Sequence, residues 1–136
     1  MRIYVRVAAM FLLSFITSSA YAEGSNAAAV KLTRARIESV VEALSSYRKL
    51  TKRYPSGLTL LLTGTVTPIH LSALLKDEQQ IRDGWNNPFV YQTNNDYRSF
   101  RLISYGADGR RGGTGEDTDI IEKSFGFNPR PDQFEY

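Results

Sequence analysis

The sequence predicts an α+β domain in which one long helix comes before a small antiparallel sheet. Three observations predict this order. A helical repeat of apolar residues runs without Gly or Pro from residue 27 to about residue 52. Two strand-like runs separated by a turn sequence follow it in the second half of the chain. A polar, glycine-rich segment, residues 104–120, then leads into the apolar pair Ile120 and Ile121.

The N-terminus has the pattern of a secretory signal peptide. Arg2 and Arg6 come before an apolar stretch, and an A-x-A sequence at residues 20–22 follows it. We therefore expect cleavage before Glu23 and export to the periplasm or the extracellular space. The alternative is an uncleaved membrane anchor, which is disfavoured because the apolar stretch is shorter than the ~20 residues that a spanning helix needs. We expect no stable membrane span after cleavage.

Residues 1–22 are thus predicted to be the signal peptide, and residues 23–136 the domain. The chain has 17 basic and 14 acidic residues, and removing the two leader arginines lowers its net charge from +3 to +1. This balance makes nucleic acid an unlikely partner on charge alone. The chain contains no cysteine, so the exported domain has to be stabilised by its core or by a metal ion.

Catalytic motifs are absent from the sequence. There is a single histidine, His70, and neither a G-x-S-x-G nucleophile turn nor a phosphate-binding P-loop is present. Without cysteine, a cysteine-ligated zinc site is excluded as well. We therefore expect a protein that is not an enzyme.

The predicted helix presents apolar residues at steps of three, four or seven positions: Val30, Ile37, Val41 and Leu44. Tyr54-Pro55 should stop it, because the residue before a proline disfavours the helical conformation. The apolar run at residues 58–62 fits either a helix or a strand. We expect a loop at residues 65–68 and a short helix at residues 70–76, with Leu71, Leu74 and Leu75 facing the core.

The second half of the chain carries turn and strand signals. The D-G-W-N-N-P sequence at residues 83–88 predicts a turn, and its tryptophan is expected to pack against the body of the domain. Residues 89–93 and 99–104 are predicted strands, joined by an Asn-Asn-Asp turn at residues 94–96. These runs form a hairpin.

The segment at residues 104–120 is a candidate calcium loop. Asp108, Asp117 and Asp119 offer the hard anionic oxygens that calcium prefers. Glycines between them tolerate positive φ and let the chain double back. Three carboxylates do not complete a shell of six to eight oxygens, so backbone carbonyls or water would have to contribute.

Two other calcium-binding motifs and a loop without an ion are the alternatives for this segment. An EF-hand is excluded because Arg110 and Gly112 stand where acidic or amide ligands are needed. A calcium-binding β-roll repeat would need several copies, and the sequence has one. A plain acidic glycine loop without an ion stays open, since Arg110 and Arg111 could offset the carboxylate charge. Glu116 is interpreted as a solvated bystander.

Three motifs in order resemble a known family. They are Y-P at residues 54–55, D-x-W-x-N-P-F-x-Y at residues 83–91, and S-Y-G-A-D-G at residues 104–109. The domain resembles the soluble part of the major pseudopilin of type II secretion, protein G of the general secretion pathway. The resemblance implies a pilin-like α+β fold, with a long N-terminal helix packed on a three-stranded antiparallel sheet and a C-terminal metal loop.

The resemblance also implies a ligand set and a role. The calcium ligands would be the carboxylates of Asp108, Asp117 and Asp119 and the carbonyls of Tyr105 and Arg110. The partners would be other proteins of a secretion or pilus-like assembly. Residues 1–26, however, do not match the family's prepilin leader with its glycine cleavage site and its glutamate-containing apolar helix. We therefore expect an accessory or structural subunit with a calcium-stabilised domain.

A second hypothesis belongs to a different class. Residues 31–53 carry seven basic and two acidic residues. The helix could therefore dock on an anionic partner through a basic face, and the protein would then be a soluble periplasmic binding module. That face would comprise Arg34, Arg36, Lys49, Lys52 and Arg53.

Overall fold

The computed structural model describes residues 5–66, 69–70 and 72–127, and it describes side chains at residues 24–64 and 72–127. Its first element is α1 (Val5–Thr51), a helix of 47 residues that is about 70 Å long at 1.5 Å per residue. The predicted helix is confirmed, although α1 begins earlier than expected. No proline interrupts the chain before residue 27, and a glycine such as Gly24 costs only about 1 kcal/mol inside a helix.

The end of α1 is fixed by its backbone. Lys52 adopts a left-handed conformation with a φ of 66°, and its amide donates to the carbonyl of Arg48 at 2.8 Å. This is a common way to close a helix C-terminus. The chain then passes through the buried residues Tyr54 and Pro55, as the Y-P stop signal predicts.

A short helix and a short hairpin follow. Helix α2 (Leu60–Thr63) resolves the apolar run at residues 58–62 as helical. Strand β1 (Thr65–Val66) then pairs antiparallel with β2 (Ile69–His70). The expected loop at residues 65–68 is therefore wrong where the structure describes it, because its first two residues pair in this hairpin.

The expected helix at residues 70–76 is also wrong. His70 belongs to β2, and the first helical turn after it is a 3₁₀ helix, Glu78–Ile81. The amides of Leu74 and Leu75 donate to the carbonyl of Leu61 at 2.8 and 3.0 Å, so this segment is held against α2 instead of coiling on itself. The predicted inward orientation of Leu75 is confirmed, since it is 3% exposed, and Leu74 packs against the core. Leu71 lies outside the described residues.

The main sheet has three antiparallel strands in the order β3-β4-β5. They are β3 (Val90–Thr93), β4 (Phe100–Ser104) and β5 (Ile120–Lys123). Val90 pairs with Ile103 between the first two strands, and Ser104 pairs with Ile120 between the last two. Both predicted strands and the hairpin between them are confirmed.

The core lies between α1, α2 and one face of this sheet. It contains Val40 and Leu44 from α1, Leu61 from α2 and Leu102 from β4, and each of these four is 0% exposed. Helix and sheet thus share one hydrophobic cluster, which confirms the α+β, pilin-like architecture. In the part of the chain that the structure describes, no helix is both long enough and apolar enough to cross a membrane. Signal cleavage before Glu23 stays a prediction.

Tyrosines connect α1, the Y-P segment and the sheet. The hydroxyl of Tyr91 donates to the carbonyl of Pro55 at 3.0 Å, and its ring stacks on Phe100 with centroids 6.3 Å apart. Burial raises the pKa of Tyr91 far above its usual value, and the nearby Tyr54 and Tyr47 raise it further. The neutral hydroxyl is therefore the form that fits the fold.

This predicts a loss of stability in alkali. Above pH ~10 the unfolded chain releases the Tyr91 proton while the folded chain keeps it, so unfolding is favoured by up to about 1.4 kcal/mol per pH unit. At pH 8 we expect Tyr91→Phe to be less stable than the wild type by about 1 kcal/mol, the worth of its hydrogen bond. Denaturant unfolding at pH 8, 10 and 11 should show that the difference in stability between Tyr91→Phe and the wild type becomes smaller as the pH rises.

Tyr105→Phe is the control, because the Tyr105 hydroxyl makes no hydrogen bond among the described residues. Its stability should follow the wild type across the same pH range. A constant gap between Tyr91→Phe and the wild type from pH 8 to 11 would contradict the prediction.

Candidate functional site

The turn at residues 83–88, here named the anchoring turn, is built around a buried aspartate. Asp83 is 0% exposed. Its Oδ1 accepts hydrogen bonds from the amides of Trp85 at 3.0 Å and Asn87 at 2.8 Å, and its Oδ2 accepts from the hydroxyl of Ser104 at 2.7 Å. A buried carboxylate is tolerated when it is hydrogen-bonded in this way. The aspartate therefore joins the anchoring turn to the end of β4.

The anchoring turn is in close contact with α1. The amide of Gly84 donates to Thr33 Oγ1 at 2.8 Å, and this hydroxyl donates to the carbonyl of Ala29 at 2.8 Å. A Cβ added at Gly84 would lie 2.0 Å from the carbonyl oxygen of Ala29. Only glycine fits at this contact.

Arg36 secures the same junction from the side of α1. Its Nη1 donates to the carbonyl of Asp83 at 2.7 Å and to that of Arg82 at 3.3 Å. The proposed basic face is therefore divided, because Arg36 binds the protein's own backbone. In contrast, the side chains of Arg34, Lys49, Lys52 and Arg53 are exposed.

The anchoring turn also holds the base of the candidate metal loop, which we name the glycine loop (residues 104–120). Asn87 Nδ2 donates to the carbonyl of Gly106 at 2.9 Å, and the amide of Gly106 donates to Ser104 Oγ at 3.3 Å. The amide of Ala107 donates to the carbonyl of Glu116 at 3.0 Å. The first contact ties the loop to the turn, and the last closes the loop on itself.

Two glycines make this closure possible. Gly106 and Gly113 have φ angles of 68° and 89°, which L-residues rarely adopt. A Cβ at Gly106 would lie 2.6 Å from the carbonyl oxygen of Glu116, and one at Gly113 would lie 2.6 Å from that of Asp117. The two arms of the loop thus meet at Glu116 and Asp117, so the loop is closed although it buries little apolar surface.

The predicted ligands all lie on this closed loop. Asp108 Oδ1 accepts from the amide of Arg110 at 2.9 Å, and Asp119 Oδ1 accepts from the amide of Gly112 at 3.0 Å. The Asp119 contact brings one predicted ligand across the loop to the segment that follows Arg110. Among the described residues, nothing donates a hydrogen bond to the carboxylate of Asp117, which is half-buried.

The acidic side chains of the loop are not assembled into one cluster. Within residues 24–64 and 72–127, no group of three or more His, Cys, Asp or Glu side chains could hold a metal ion. Each of Asp108 and Asp119 uses one carboxylate oxygen for a backbone amide. Tyr105 and Arg110 could contribute only backbone carbonyl oxygens. All five predicted ligands therefore lie on one closed segment, but their three carboxylates are not grouped around one point.

A groove of about 380 Å³ separates the glycine loop from α1. Val30 and Arg34 line it from the helix, Trp85 from the anchoring turn, and Glu116 and Ile120 from the loop side. The indole nitrogen of Trp85 is buried without a hydrogen-bond partner among the described residues. Trp85 is half-buried and lines this groove, and it lies outside the main core cluster of the described residues.

The sequence of the chain matches that of a known protein family. A sequence profile described as type II secretion system (T2SS), protein G matches residues 20–123. The chain belongs to this family. The match includes the anchoring turn, the glycine loop and all three strands of the main sheet.

Two curated relatives of the family agree with this assignment. The type II secretion system core protein G of Xanthomonas campestris is 27% identical over 97 residues, which cover 71% of this chain and 68% of the relative. The protein of the same name from Pseudomonas aeruginosa is 32% identical over 99 residues, which cover 68% of this chain and 70% of the relative. The recognised resemblance is confirmed. The chain is a structural component of the secretion machinery and not an enzyme.

Sequence reasoning about this family member missed the residues that anchor the loop. Asp83 and Ser104 were recognised only as motif positions and Gly84 only as a turn residue, and Thr33 was not singled out. The signal was partly present, because an Asp in a turn often accepts a hydrogen bond from the backbone two residues on, as Asp83 does from Trp85. Nothing in the sequence shows that this aspartate is buried or that Gly84 contacts α1.

The contact at Gly84 gives a sharp test of the anchor. Gly84→Ala places a Cβ against the backbone of Ala29, so the anchoring turn has to move away from α1 and lose the Thr33 hydrogen bond. We expect a loss of about 2–4 kcal/mol in the free energy of unfolding, measured by denaturant titration.

Gly57→Ala is the matched control. A Cβ at Gly57 meets only Thr59 Oγ1, at 3.9 Å, which is an ordinary contact distance. This variant should change stability by less than about 1 kcal/mol. Equal effects of the two substitutions would show that the contact with Ala29 does not anchor the turn.

Proposed function

We propose that the protein is a calcium-stabilised structural or accessory subunit of a type II secretion or pilus-like system, exported to the periplasmic side. The family match over residues 20–123 supports the secretion role. Together with the predicted signal peptide, membership in a secretion family also supports export. Its partners would be other proteins of the assembly.

The closed glycine loop supports the calcium part of the proposal. Gly106 and Gly113 bring its arms together at Asp117, whose carboxylate accepts no hydrogen bond among the described residues. Asp108, Asp117 and Asp119 would supply carboxylate oxygens, and Tyr105 and Arg110 backbone carbonyls. Hard oxygen donors of this kind fit calcium. Because the described carboxylates are not gathered into one cluster, binding of the ion would have to draw them together.

Calcium would act on folding and not on catalysis. A segment so rich in glycine and polar residues gains little from hydrophobic burial. An ion that binds only the folded state adds about 2.7 kcal/mol at a concentration 100 times its dissociation constant. For a small domain this is a large part of a total stability of roughly 5–15 kcal/mol.

Thermal unfolding in the presence of calcium or excess chelator tests this part. We expect calcium to raise the unfolding midpoint by on the order of 10 °C. In Asp117→Ala and Asp119→Ala this shift should be lost, because each variant removes one proposed ligand. Isothermal titration of the wild type with calcium should show binding, and the same titration of either variant should not.

Glu116→Ala is the matched control for these variants. It removes an exposed carboxylate from the same loop at a position outside the proposed ligand set. It should keep the calcium shift of the wild type. A wild-type midpoint that is equal in calcium and in chelator would remove the ion from the proposal and leave the plain acidic loop.

The secretion role has a separate test in the organism that encodes the chain. Deletion of the gene should lower the amount of type II substrates in the culture medium, and the wild-type gene should restore it. The Gly84→Ala gene should restore secretion poorly, because this substitution weakens the anchor of the glycine loop. Unchanged secretion after deletion would contradict the role without bearing on calcium.

The intact mass of the protein in the periplasmic fraction checks the predicted processing. A chain that begins at Glu23 is expected. A mass that corresponds to the uncleaved chain, or to cleavage within the apolar stretch, would show that the signal-peptide prediction is wrong. Neither mass would change the calcium result.

The binding-module alternative retains one supporting observation. Although Arg36 is occupied by the anchoring turn, the basic residues at the C-terminal end of α1 are exposed and line a pocket. A docking role would therefore belong to that end of the helix and not to the whole face.

A further inference from the structure

The C-terminal end of α1 forms a basic pocket. The pocket has a volume of about 270 Å³ and is lined by Ser45, Arg48, Lys49 and Tyr54. All four side chains can donate a hydrogen bond, and two of them carry a positive charge. This composition fits an anionic ligand.

Arg48 is held in place by an aromatic side chain. Its Nη1 donates to the hydroxyl of Tyr54 at 3.2 Å, and its guanidinium carbon lies 5.1 Å from the centroid of the same ring. A guanidinium stacked on an aromatic face loses less conformational freedom when it binds a ligand. Its remaining N–H groups stay available.

Tyr54 is itself fixed by the core. It is 6% exposed, and its ring meets that of Phe100 edge to face with centroids 4.9 Å apart. Its amide donates to the carbonyl of Tyr97 at 2.8 Å. The wall of the pocket is therefore rigid, and the arginine on it is preorganised for binding.

The positive charge of this pocket is not neutralised within the described structure. The one ion pair among the described residues joins Arg98 to Asp96 at 3.3 Å, and neither residue lines the pocket. Lys52 and Arg53 extend the positive surface beyond Lys49. Basic residues in a last helical turn complement the helix dipole, but this does not require a concave pocket with a stacked arginine.

We propose that this pocket binds a side-chain carboxylate from an acidic segment of a protein partner. The planar fork of Arg48 matches a carboxylate, with which arginine forms paired, charge-assisted hydrogen bonds. Lys49 and the hydroxyl of Ser45 would add donors to the same group. Lys52 and Arg53 would attract further acidic residues of the segment.

Fluorescence polarisation with the full-length protein and a dye-labelled hexaglutamate peptide tests the proposal. Binding is expected at low ionic strength. Arg48→Gln and Lys49→Gln should each weaken it by about tenfold, a change of about 1.4 kcal/mol. Arg48→Lys should also weaken it, because the charge is kept and the planar fork is lost.

Arg111→Gln is the matched control, since it removes one exposed arginine from the glycine loop, far along the chain from the pocket. Its affinity for the peptide should stay within about twofold of the wild type. Thermal unfolding of each variant separates an effect on binding from an effect on folding. If Arg48→Gln does not fold, Lys49→Gln alone is used to test the pocket. If Lys49→Gln and Arg111→Gln lost the same affinity for the peptide, binding would be explained by general charge attraction and the proposal of a specific pocket would be overturned.

Two further probes distinguish the chemical source of the anion. Inorganic phosphate and phosphatidylglycerol vesicles are added separately, each with the wild type and Arg48→Gln. Weaker binding of both than of the peptide supports the proposal. Tighter, Arg48-dependent binding of either one would overturn the assignment to a protein carboxylate. Both results are independent of calcium and of the secretion test.

Discussion

The buried carboxylate of Asp83 is the interaction on which the site depends. Its two oxygens accept three hydrogen bonds, from two amides of its own turn and from Ser104 of β4. Removing it would leave these buried donors without partners, and such groups cost about 1–3 kcal/mol each. The same turn contacts α1 through Gly84 and the glycine loop through Asn87. Helix, sheet and loop therefore meet at one polar centre.

Most of the fold could be predicted because its signals are local. The spacing of apolar residues predicted α1 from residue 27 to its end. Strand-like runs on either side of an Asn-Asn-Asp turn predicted the hairpin of β3 and β4. The short hairpin at residues 65–70 could not be predicted in this way, since two-residue strands carry no periodicity. The wrong helix at residues 70–76 has a related cause. Leu75 is buried and Leu74 packs against the core as expected, but the amides of both donate to Leu61, a contact that local propensity does not describe.

The candidate site was predictable in composition and not in geometry. Three aspartates among glycines indicate hard oxygen donors, yet their positions depend on backbone contacts that residue types do not reveal. Gly113 closes on the backbone of Asp117, whereas Gly112 points into open space, although the two are neighbours in sequence. The prediction of a basic helix face was also right in composition but not in geometry. Arg36 fits a helix-surface pattern, but it reaches the carbonyl of Asp83 and so has a structural role.

The two proposed sites use α1 in different ways, and this bears on how they could be coupled. Thr33 contacts the anchoring turn near the middle of the helix, while Arg48 lines the pocket near its end. They are 15 residues apart, or about 22 Å along a continuous helix. A helix without a proline between these points transmits little of a local loop change by bending. Calcium at the loop and an acidic partner at the pocket should therefore add independently to stability, unless a partner spans both.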